Sequence, residues 1–173
     1  MLGRTYDDQV CSIARSLEVL GERWTLLIVR DVLLGVRRFD DFQHSLGVAR
    51  NVLTDRLGRL VDAGVLERVS YQNRPPRHEY ALTAMGRELA VPIIALMQWG
   101  DRHHAGQAGP PRLAHHRDCG APVQAALVCT GCGRPVPAGD LDVVPGPGLA
   151  TRPPRERFPH AVRRKVAQMH PPP

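Results

Sequence analysis

The stretch from Phe39 to Leu82 constrains the fold of this 173-residue chain more than any other. It divides into a short helix, a turn around Gly47, a longer helix, and two strand-like runs joined by the polar loop QNRPPR. Apolar residues of the longer helix recur at helical spacing and would pack inward, which leaves a polar outer face that can enter a groove. The inward residues are Leu53, Leu57, Leu60 and Val61, and the outward ones are Asn51, Asp55, Gly58, Arg59 and Asp62.

Helical patterns flank this unit on both sides. Cys11–Leu20 predicts a first helix that ends at Gly21, and ERWTLLIVRDVLLG predicts a central helix, apolar around most of its circumference, with Trp24 as a core anchor. After the strands, Thr83 can cap a helix that Pro92 should bend or split. This last helix carries many large apolar residues. A two-fold contact with a second copy, shared with the first helix, would cover them, and the alternative is that they fold back on their own domain.

The two strand-like runs, Val65–Tyr71 and His78–Leu82, are rich in Val and Tyr with polar residues interspersed. The two prolines of the loop between them should stiffen it and stop strand pairing, while Asn73, Arg74 and Arg77 make its tip polar and positively charged. Such a hairpin would lie along a phosphate backbone or probe a minor groove, and the alternative is an ordinary solvated hairpin.

Composition narrows the class of protein. The formal net charge of +6 and the pI of about 9.8 favour polyanionic partners, although basic charge alone does not separate nucleic acid from an anionic membrane. The sequence has neither an apolar run long enough to span a bilayer nor a signal-peptide core, so we expect a cytoplasmic protein without a membrane partner. His44, His78, His103 and His104 lack a convincing nucleophile or carboxylate constellation, which argues against an enzyme.

The segment 115–136 follows a Gly- and Pro-rich linker at 106–114 and carries its own chemistry. It pairs His116-x-x-Cys119 with Cys129-x-x-Cys132, and each half ends in Cys-Gly, which lets a backbone turn tightly around a metal. Three thiolates and one imidazole would complete one structural zinc site of zinc-ribbon type.

Other interpretations of this segment stay open. His115 is an alternative ligand, the cysteines can be reduced and unligated, and Cys129 with Cys132 can form a redox pair. The apolar interval from Val123 to Val128 can form a short hairpin.

Residues 137–173 are rich in Pro, Gly and Arg and are expected to be largely disordered. No internal repeat is evident in the chain.

Many spaced positions together resemble a known family. The run CSIARSLEVLGERWTLLIVRDVLLGVRRFDDFQ, the LTDRL and GVLERVSY segments, EYALTAMGREL and QWG are similar to the HxlR-type winged helix-turn-helix transcriptional regulators, which share their fold with the MarR group. The resemblance covers roughly residues 9 to 104 and implies a mainly α (α+β) fold with flanking dimerisation helices, and we assign this domain to residues 1–105. It also implies a homodimer whose recognition helices enter successive major grooves, and gene regulation that often responds to electrophiles, oxidants or small toxic compounds.

Five positions carry the resemblance residue by residue. Arg38 and Phe39 match the arginine and phenylalanine before the first helix of the pair, Arg56 and Leu57 match residues within the recognition helix, and Tyr80 matches the tyrosine of the second wing strand.

Two positions depart from the family pattern. Ala49 replaces a hydroxyl residue that opens the recognition helix, which removes a cap worth about 1 kcal/mol. Gly58 replaces a longer polar residue, and glycine inside a helix costs about 1 kcal/mol relative to alanine. The target sequence of a relative therefore does not transfer to this chain.

Cys11 matches a cysteine of the family that is commonly followed by proline, and in some members this cysteine senses oxidants or electrophiles. Here Ser12 follows, which weakens the analogy. The start of a helix can stabilise a thiolate, so a sensor is one interpretation and a small, partly buried residue is the other.

The first turns of a recognition helix reach deepest into the groove. Asn51 can read adenine, Thr54 can contact the backbone or a methyl group, and Arg50 can pair with guanine or hold a phosphate. We expect the other predicted contacts of this type, Arg37, Arg38, Arg59, Arg74 and Arg77, to position the protein through phosphates. The predicted DNA-binding residues are Arg37, Arg38, Arg50, Asn51, Thr54, Asp55, Arg59, Asn73, Arg74 and Arg77.

Together these features predict a sequence-specific, homodimeric DNA-binding regulator whose partners are double-stranded DNA and a second copy. The resemblance implies in addition a response to electrophiles, oxidants or a small-molecule inducer. The alternative from another class is a protein-interaction module in which the zinc-ribbon-like end is the working part, since winged helices do not all bind DNA. Specific competitor DNA separates the two.

Overall fold

The computed structural model describes Thr5, Tyr6, Gln9, residues 11–144 and residues 146–150. The chain divides into two compact units, one formed by Ile13–Ala126 and the other by Met1–Ser12 with Leu127–Pro173. In chain order the elements are α1 Ser12–Leu20, α2 Thr25–Leu33, α3 Phe39–Leu46, α4 Arg50–Asp62, β1 Leu66–Asn73, β2 Pro76–Leu82, α5 Ala84–Glu88, α6 Ala90–His104, a 3-10 turn Ala138–Asp140 and α7 Pro147–Ala150.

The first unit has the predicted winged helix-turn-helix architecture. Its core lies between α2, α3, α4 and the base of the hairpin, where Ile28, Phe42, Leu57 and Leu66 are almost completely buried. The turn between α3 and α4 starts at Gly47, whose positive φ of 61° and N–H bond to the Gln43 carbonyl end α3 in a left-handed cap. These contacts fix α4 against the rest of the domain by one face.

The central helix α2 is less buried than its composition predicts. Ile28, Val29 and Val32 line the core, but Leu27, Leu33 and Leu34 are exposed because the core contacts one face of the helix. The predicted helical run also started too early, since Trp24 adopts a left-handed backbone with φ of 81° and α2 begins after it. The indole is half-buried against the core, which confirms the anchoring role predicted for Trp24.

The antiparallel hairpin of β1 and β2, which we call the wing, is longer than predicted. The expectation that its prolines prevent pairing was wrong, because Asn73 pairs with Pro76 across a two-residue turn, Arg74–Pro75, whose peptide bond is cis. Pro76 is the first residue of β2, a position where a strand tolerates the missing N–H.

The helix after the wing is split as predicted. The Thr83 hydroxyl accepts from the Gly86 N–H at 3.0 Å and lies 2.6 Å from the Gly64 carbonyl oxygen, so it caps α5 and ties it to the start of the wing. The break falls at Leu89, and Pro92 sits in the first turn of α6, where the missing N–H leaves no helical bond unmade.

Two helical faces leave large apolar side chains in solvent. Every residue of α6 is exposed or half-buried, and α1 buries Ala14 alone. Within the part of the chain that the structure describes, no helix combines the length and apolar character needed to cross a membrane. The exposed apolar side chains of the two helices are Ile13, Leu17, Val19, Val91, Leu96 and Trp99.

The structure describes part of the predicted C-terminal tail, namely residues 137–144 and 146–150. Its described portion contains the 3-10 turn and α7. Residues 151–173, which include the basic RRK run, lie outside the described residues.

Candidate nucleic-acid interface

The two faces of α4 differ sharply in character. Leu53, Leu57 and Leu60 are completely buried and hold the helix in the core. The opposite side presents polar and charged side chains at helical spacing, as the sequence predicts. Its exposed members are Arg50, Asn51, Thr54, Asp55, Arg59 and Asp62.

Ala49 is the N-cap residue of α4 and has an extended backbone. Its methyl group offers no acceptor to the first amide groups of the helix. Beside it, the guanidinium of Arg50 lies over the ring of Phe39 at 4.8 Å and 3.9 Å from a carboxylate oxygen of Asp40. Amide N–H groups without a side-chain cap and a nearby guanidinium are donors suited to phosphate oxygens.

The middle of the exposed face is organised by local contacts. The Thr54 hydroxyl donates to the Arg50 carbonyl at 2.8 Å, which leaves its oxygen free to accept a hydrogen bond. A carboxylate oxygen of Asp55 lies 3.1 Å from Nε of Arg59, one helical turn further on. This pairing offsets the repulsion that an acidic side chain would otherwise exert on a phosphate backbone.

Arg56 faces the protein and not the exposed side of α4. Its side chain is only 16% exposed, Nη2 lies 2.8 Å from a carboxylate oxygen of Glu22, and Nε donates to the Arg23 carbonyl at 3.2 Å. It also pairs with Asp55. Arg56 therefore ties the recognition helix to the turn between α1 and α2, a role that the sequence reasoning missed. Its spacing from Leu53 and Leu60 places it beside the buried stripe and was the available signal.

Arg37 and Arg38 join the helix pair to the base of the wing. The Arg37 carbonyl accepts from the Tyr80 N–H at 2.9 Å, and its guanidinium donates to a carbonyl of α2. Nε of Arg38 lies 3.2 Å from a carboxylate oxygen of Glu79, and its guanidinium lies 4.9 Å from the centre of the Tyr71 ring. The hydrogen bond with Glu79, followed by the proximity of Tyr71, raises the pKa of Arg38. Both arginines remain exposed.

The tip of the wing carries the remaining predicted contacts. Asn73 ends β1, Arg74 lies in the turn and Arg77 is the second residue of β2, and all three are exposed. The Gln72 amide donates to the Arg74 carbonyl at 2.9 Å, which fixes the backbone of the turn.

The four cysteines, all of which lie in the described range, are free thiols. Cys11 is exposed and directly precedes α1. Hydrogen bonds from the Arg134 backbone, the Arg134 side chain and Cys129 lower the pKa of Cys132. Among the described residues, no three His, Cys, Asp or Glu side chains are grouped so as to hold a metal ion.

The predicted hairpin over residues 123–128 does not form. The bridges in this region pair His115 with Pro122 and Val128 with Pro135, so each Cys-Gly turn closes on itself instead.

Comparisons with known proteins agree with this geometry. A family model described as HxlR-like helix-turn-helix matches residues 19–108. The HTH-type transcriptional regulator Rv3095 of Mycobacterium tuberculosis, itself uncharacterized, is 45% identical over 141 residues, which cover 82% of this chain and 89% of the relative. The solved structure of PA1607, a candidate transcription factor, gives a TM-score of 0.71 at 38% identity and covers 80% of this chain and 96% of that one. The redox regulator HypR in its reduced form gives a TM-score of 0.51 at 28% identity, covering 53% of this chain and 92% of that one.

Proposed function

Because the chain belongs to the HxlR-like family of helix-turn-helix transcriptional regulators, we propose that it acts as a homodimer that binds duplex DNA sequence-specifically. The difference between the two faces of α4 is the observation that supports this proposal. Buried leucines hold one face, while Arg50, Asn51 and Thr54 stand exposed on the other, as a helix that enters a major groove requires. Arg74 and Arg77 at the tip of the wing add positive charge for the flanking phosphates.

The chemistry of each exposed side chain decides whether it suits a base edge or the phosphate backbone of DNA. The Asn51 amide is suited to the adenine edge, the Thr54 oxygen can accept from a base or its methyl group can meet thymine, and Arg50 is suited to guanine or a phosphate. Arg59, held by Asp55, and the arginines of the wing position the protein on the backbone. Asn51 should therefore set sequence preference, and the backbone arginines should set salt dependence.

The homodimer is supported by the apolar side chains that α1 and α6 leave exposed. Val91 is 70% exposed, Leu96 52% and Trp99 49%, which is unusual for large apolar residues on one helix of a monomer. A second copy related by a two-fold axis would cover them and would place two reading helices on the two halves of a palindromic site.

Light scattering after size-exclusion chromatography tests the dimer. The wild-type protein should have twice the 19.1 kDa mass of the chain, and Leu96→Glu should shift it towards the monomer. Val143→Glu is the matched control, because Val143 is 96% exposed and lies outside both helices. A Leu96→Glu protein that remains as dimeric as the control contradicts the proposed surface.

We also propose that oxidants or electrophiles control DNA binding through Cys11. The thiol is exposed at the start of α1, and the structural neighbour HypR is a redox regulator. Diamide or a quinone should weaken operator binding by the wild-type protein, reversibly for diamide, and should leave Cys11→Ser unaffected. Equal sensitivity of the two proteins, with labelling showing that Cys11 has reacted, contradicts the sensor.

Competition binding tests the proposed function as a whole. Labelled DNA from the region upstream of the gene is bound, and unlabelled copies of the same DNA and of a shuffled sequence compete for the protein. Displacement by the specific DNA at much lower concentration supports a sequence-specific regulator. Equal displacement by both competitors favours the interaction module.

A further inference from the structure

An exposed arginine at the joint between the helix pair and the wing is held on two sides. Arg38 is the N-cap residue of α3, and its side chain is 57% exposed. Nε of Arg38 donates to a carboxylate oxygen of Glu79 at 3.2 Å, and the guanidinium carbon lies 4.9 Å from the centre of the Tyr71 ring. Tyr71 belongs to β1 and Glu79 to β2, so these contacts connect the start of α3 with both strands of the wing.

Tyr71 reaches this position because the strand pairing is irregular there. The register of the hairpin shifts between Ser70 and Gln72, so Tyr71 is an extra residue in β1. A β-bulge of this kind breaks the alternation of side chains and commonly re-aims one of them. Here the Tyr71 ring is 41% exposed and lies against the Arg38 guanidinium instead of in the core.

Glu79 approaches Arg38 from a fixed position at the base of the wing. The next residue, Tyr80, donates its N–H to the Arg37 carbonyl at 2.9 Å. Its ring meets that of the completely buried Phe42 edge to face, with 6.2 Å between the ring centres. The base of β2 is therefore fastened both to the loop before α3 and to the core, and the half-buried Glu79 takes its place from that base.

These contacts leave the donors that a phosphate requires. The hydrogen bond to Glu79 uses Nε of Arg38, which leaves the two terminal Nη groups for another acceptor. A guanidinium binds phosphate oxygens through two parallel N–H groups while it stacks on an aromatic ring. An arginine that is already held in place also avoids part of the entropy loss that a flexible side chain suffers on binding.

The joint lies between the two elements predicted to contact DNA. Phe39, directly after Arg38, carries the Arg50 guanidinium of α4 over its ring at 4.8 Å, which places Arg38 beside the start of the recognition helix. Tyr71 is two residues from Asn73, where β1 ends at the tip of the wing. A DNA backbone that meets both α4 and the wing would pass this joint.

Acidic neighbours restrict the kind of anion. Two carboxylates, those of Glu79 and Asp41, lie close enough to Arg38 to raise its pKa. They offset the charges of Arg37 and Arg38, so a free phosphate ion would gain little from charge alone. A phosphate of duplex DNA is brought to the joint by the other contacts of the protein, and there two well-placed donors suffice.

Given the DNA-binding function proposed above, on which this inference rests, we propose that Arg38 is a preorganised ligand for a backbone phosphate of DNA, and that Tyr71 and Glu79 are the residues that position it. Tyr71 supplies an aromatic surface and Glu79 supplies an acceptor, and neither needs to touch DNA. Loss of either contact should weaken DNA binding about two- to tenfold, the effect of immobilising one flexible side chain at an interface.

Salt titrations of DNA binding test the phosphate contact. Arg38→Ala should lower the slope of log affinity against log salt by about one unit, on upstream DNA and on a shuffled sequence alike. A wild type that binds DNA, together with an unchanged slope in Arg38→Ala, overturns the phosphate site and leaves the proposed function standing. A wild type that binds neither DNA overturns both.

A double-mutant cycle tests the positioning role of Tyr71. Tyr71→Ala should weaken binding about two- to tenfold in the wild-type background but have no effect in Arg38→Ala, because the ring acts through that arginine. Tyr71→Phe keeps the ring, serves as the matched control and should bind like the wild type. Equal weakening by Tyr71→Ala in both backgrounds, or equal weakening by Tyr71→Phe and Tyr71→Ala, overturns this role.

Glu79→Gln and Glu79→Met form a second matched pair. Both side chains are neutral and similar in length, but only glutamine keeps an acceptor for Nε of Arg38. Glu79→Gln should bind DNA about two- to tenfold more tightly than Glu79→Met, and the difference should vanish in Arg38→Ala. Urea denaturation of each variant measures stability separately from DNA binding. Equal affinities of the pair, or a difference that persists without Arg38, overturn the positioning role of Glu79.

Discussion

Arg56→Ala should destabilise the protein without removing a DNA contact. The substitution deletes the ion pair with Glu22 and the hydrogen bond to the Arg23 carbonyl, and the side chain that makes them is only 16% exposed. A hydrogen bond that involves a charged group contributes about 1.5–3 kcal/mol when well shielded. Half of the Glu22 side chain is exposed, which reduces its share, so we expect a loss of about 1–2 kcal/mol in the free energy of unfolding.

Urea denaturation at one fixed protein concentration measures this loss, since the stability of the proposed dimer would rise with protein concentration. Arg56→Lys keeps the charge but lacks the planar fork that reaches both partners, so it should recover only part of the stability. Arg59→Ala is the matched control, because that side chain is 61% exposed and forms an ion pair with Asp55 on the same helix. It should change stability by less than about 0.5 kcal/mol.

The salt dependence of DNA binding should respond to the two substitutions in the opposite way to stability. The slope of log affinity against log salt should stay unchanged in Arg56→Ala and fall by about one unit in Arg59→Ala. An Arg56→Ala protein with wild-type urea stability and a salt slope reduced by one unit would refute the reasoning, because Arg56 would then be a phosphate contact.

Three further substitutions test the local physics of the interface. Ala49→Ser supplies the missing cap of α4 and should stabilise the protein by about 1 kcal/mol in urea denaturation; a loss of stability would mean that the turn has no room for the hydroxyl. A Cβ added at Gly58 meets open space, so Gly58→Ala should also stabilise by about 1 kcal/mol, and weaker DNA binding by this more stable protein would show close approach of the helix to DNA. Arg74→Ala at the exposed wing tip should reduce the salt slope by about one unit on every DNA sequence, and an unchanged slope excludes wing contact.

Strong local periodicity made the order of elements predictable. The apolar spacing of Leu53, Leu57 and Leu60 identified the buried face of α4, and Thr83 with Pro92 located the cap and the split helix. These signals depend on neighbours within a turn or two of helix, which the sequence contains in full.

Features that depend on tertiary contacts were harder to predict. Because the backbone at Trp24 is left-handed, α2 starts later than the sequence predicted. No local residue preference predicts such a conformation for a tryptophan. The role of Arg56 depends on Glu22 and Arg23, distant in sequence, and an arginine beside an apolar stripe is compatible with either the surface or a partner. Proline is usually read as a strand breaker, yet Pro76 starts β2.

Equilibrium binding of the purified protein to its own upstream DNA, measured across a range of salt concentrations with wild type and Asn51→Ala, tests the central claim most directly. The wild type should prefer this DNA over a shuffled sequence. Asn51→Ala should lose about 1–3 kcal/mol of that preference while keeping the same salt slope, because Asn51 is assigned to a base and not a phosphate. Equal binding of the wild type to both DNAs, or an unchanged preference in Asn51→Ala, would contradict the assignment of the exposed face of α4 as the sequence reader.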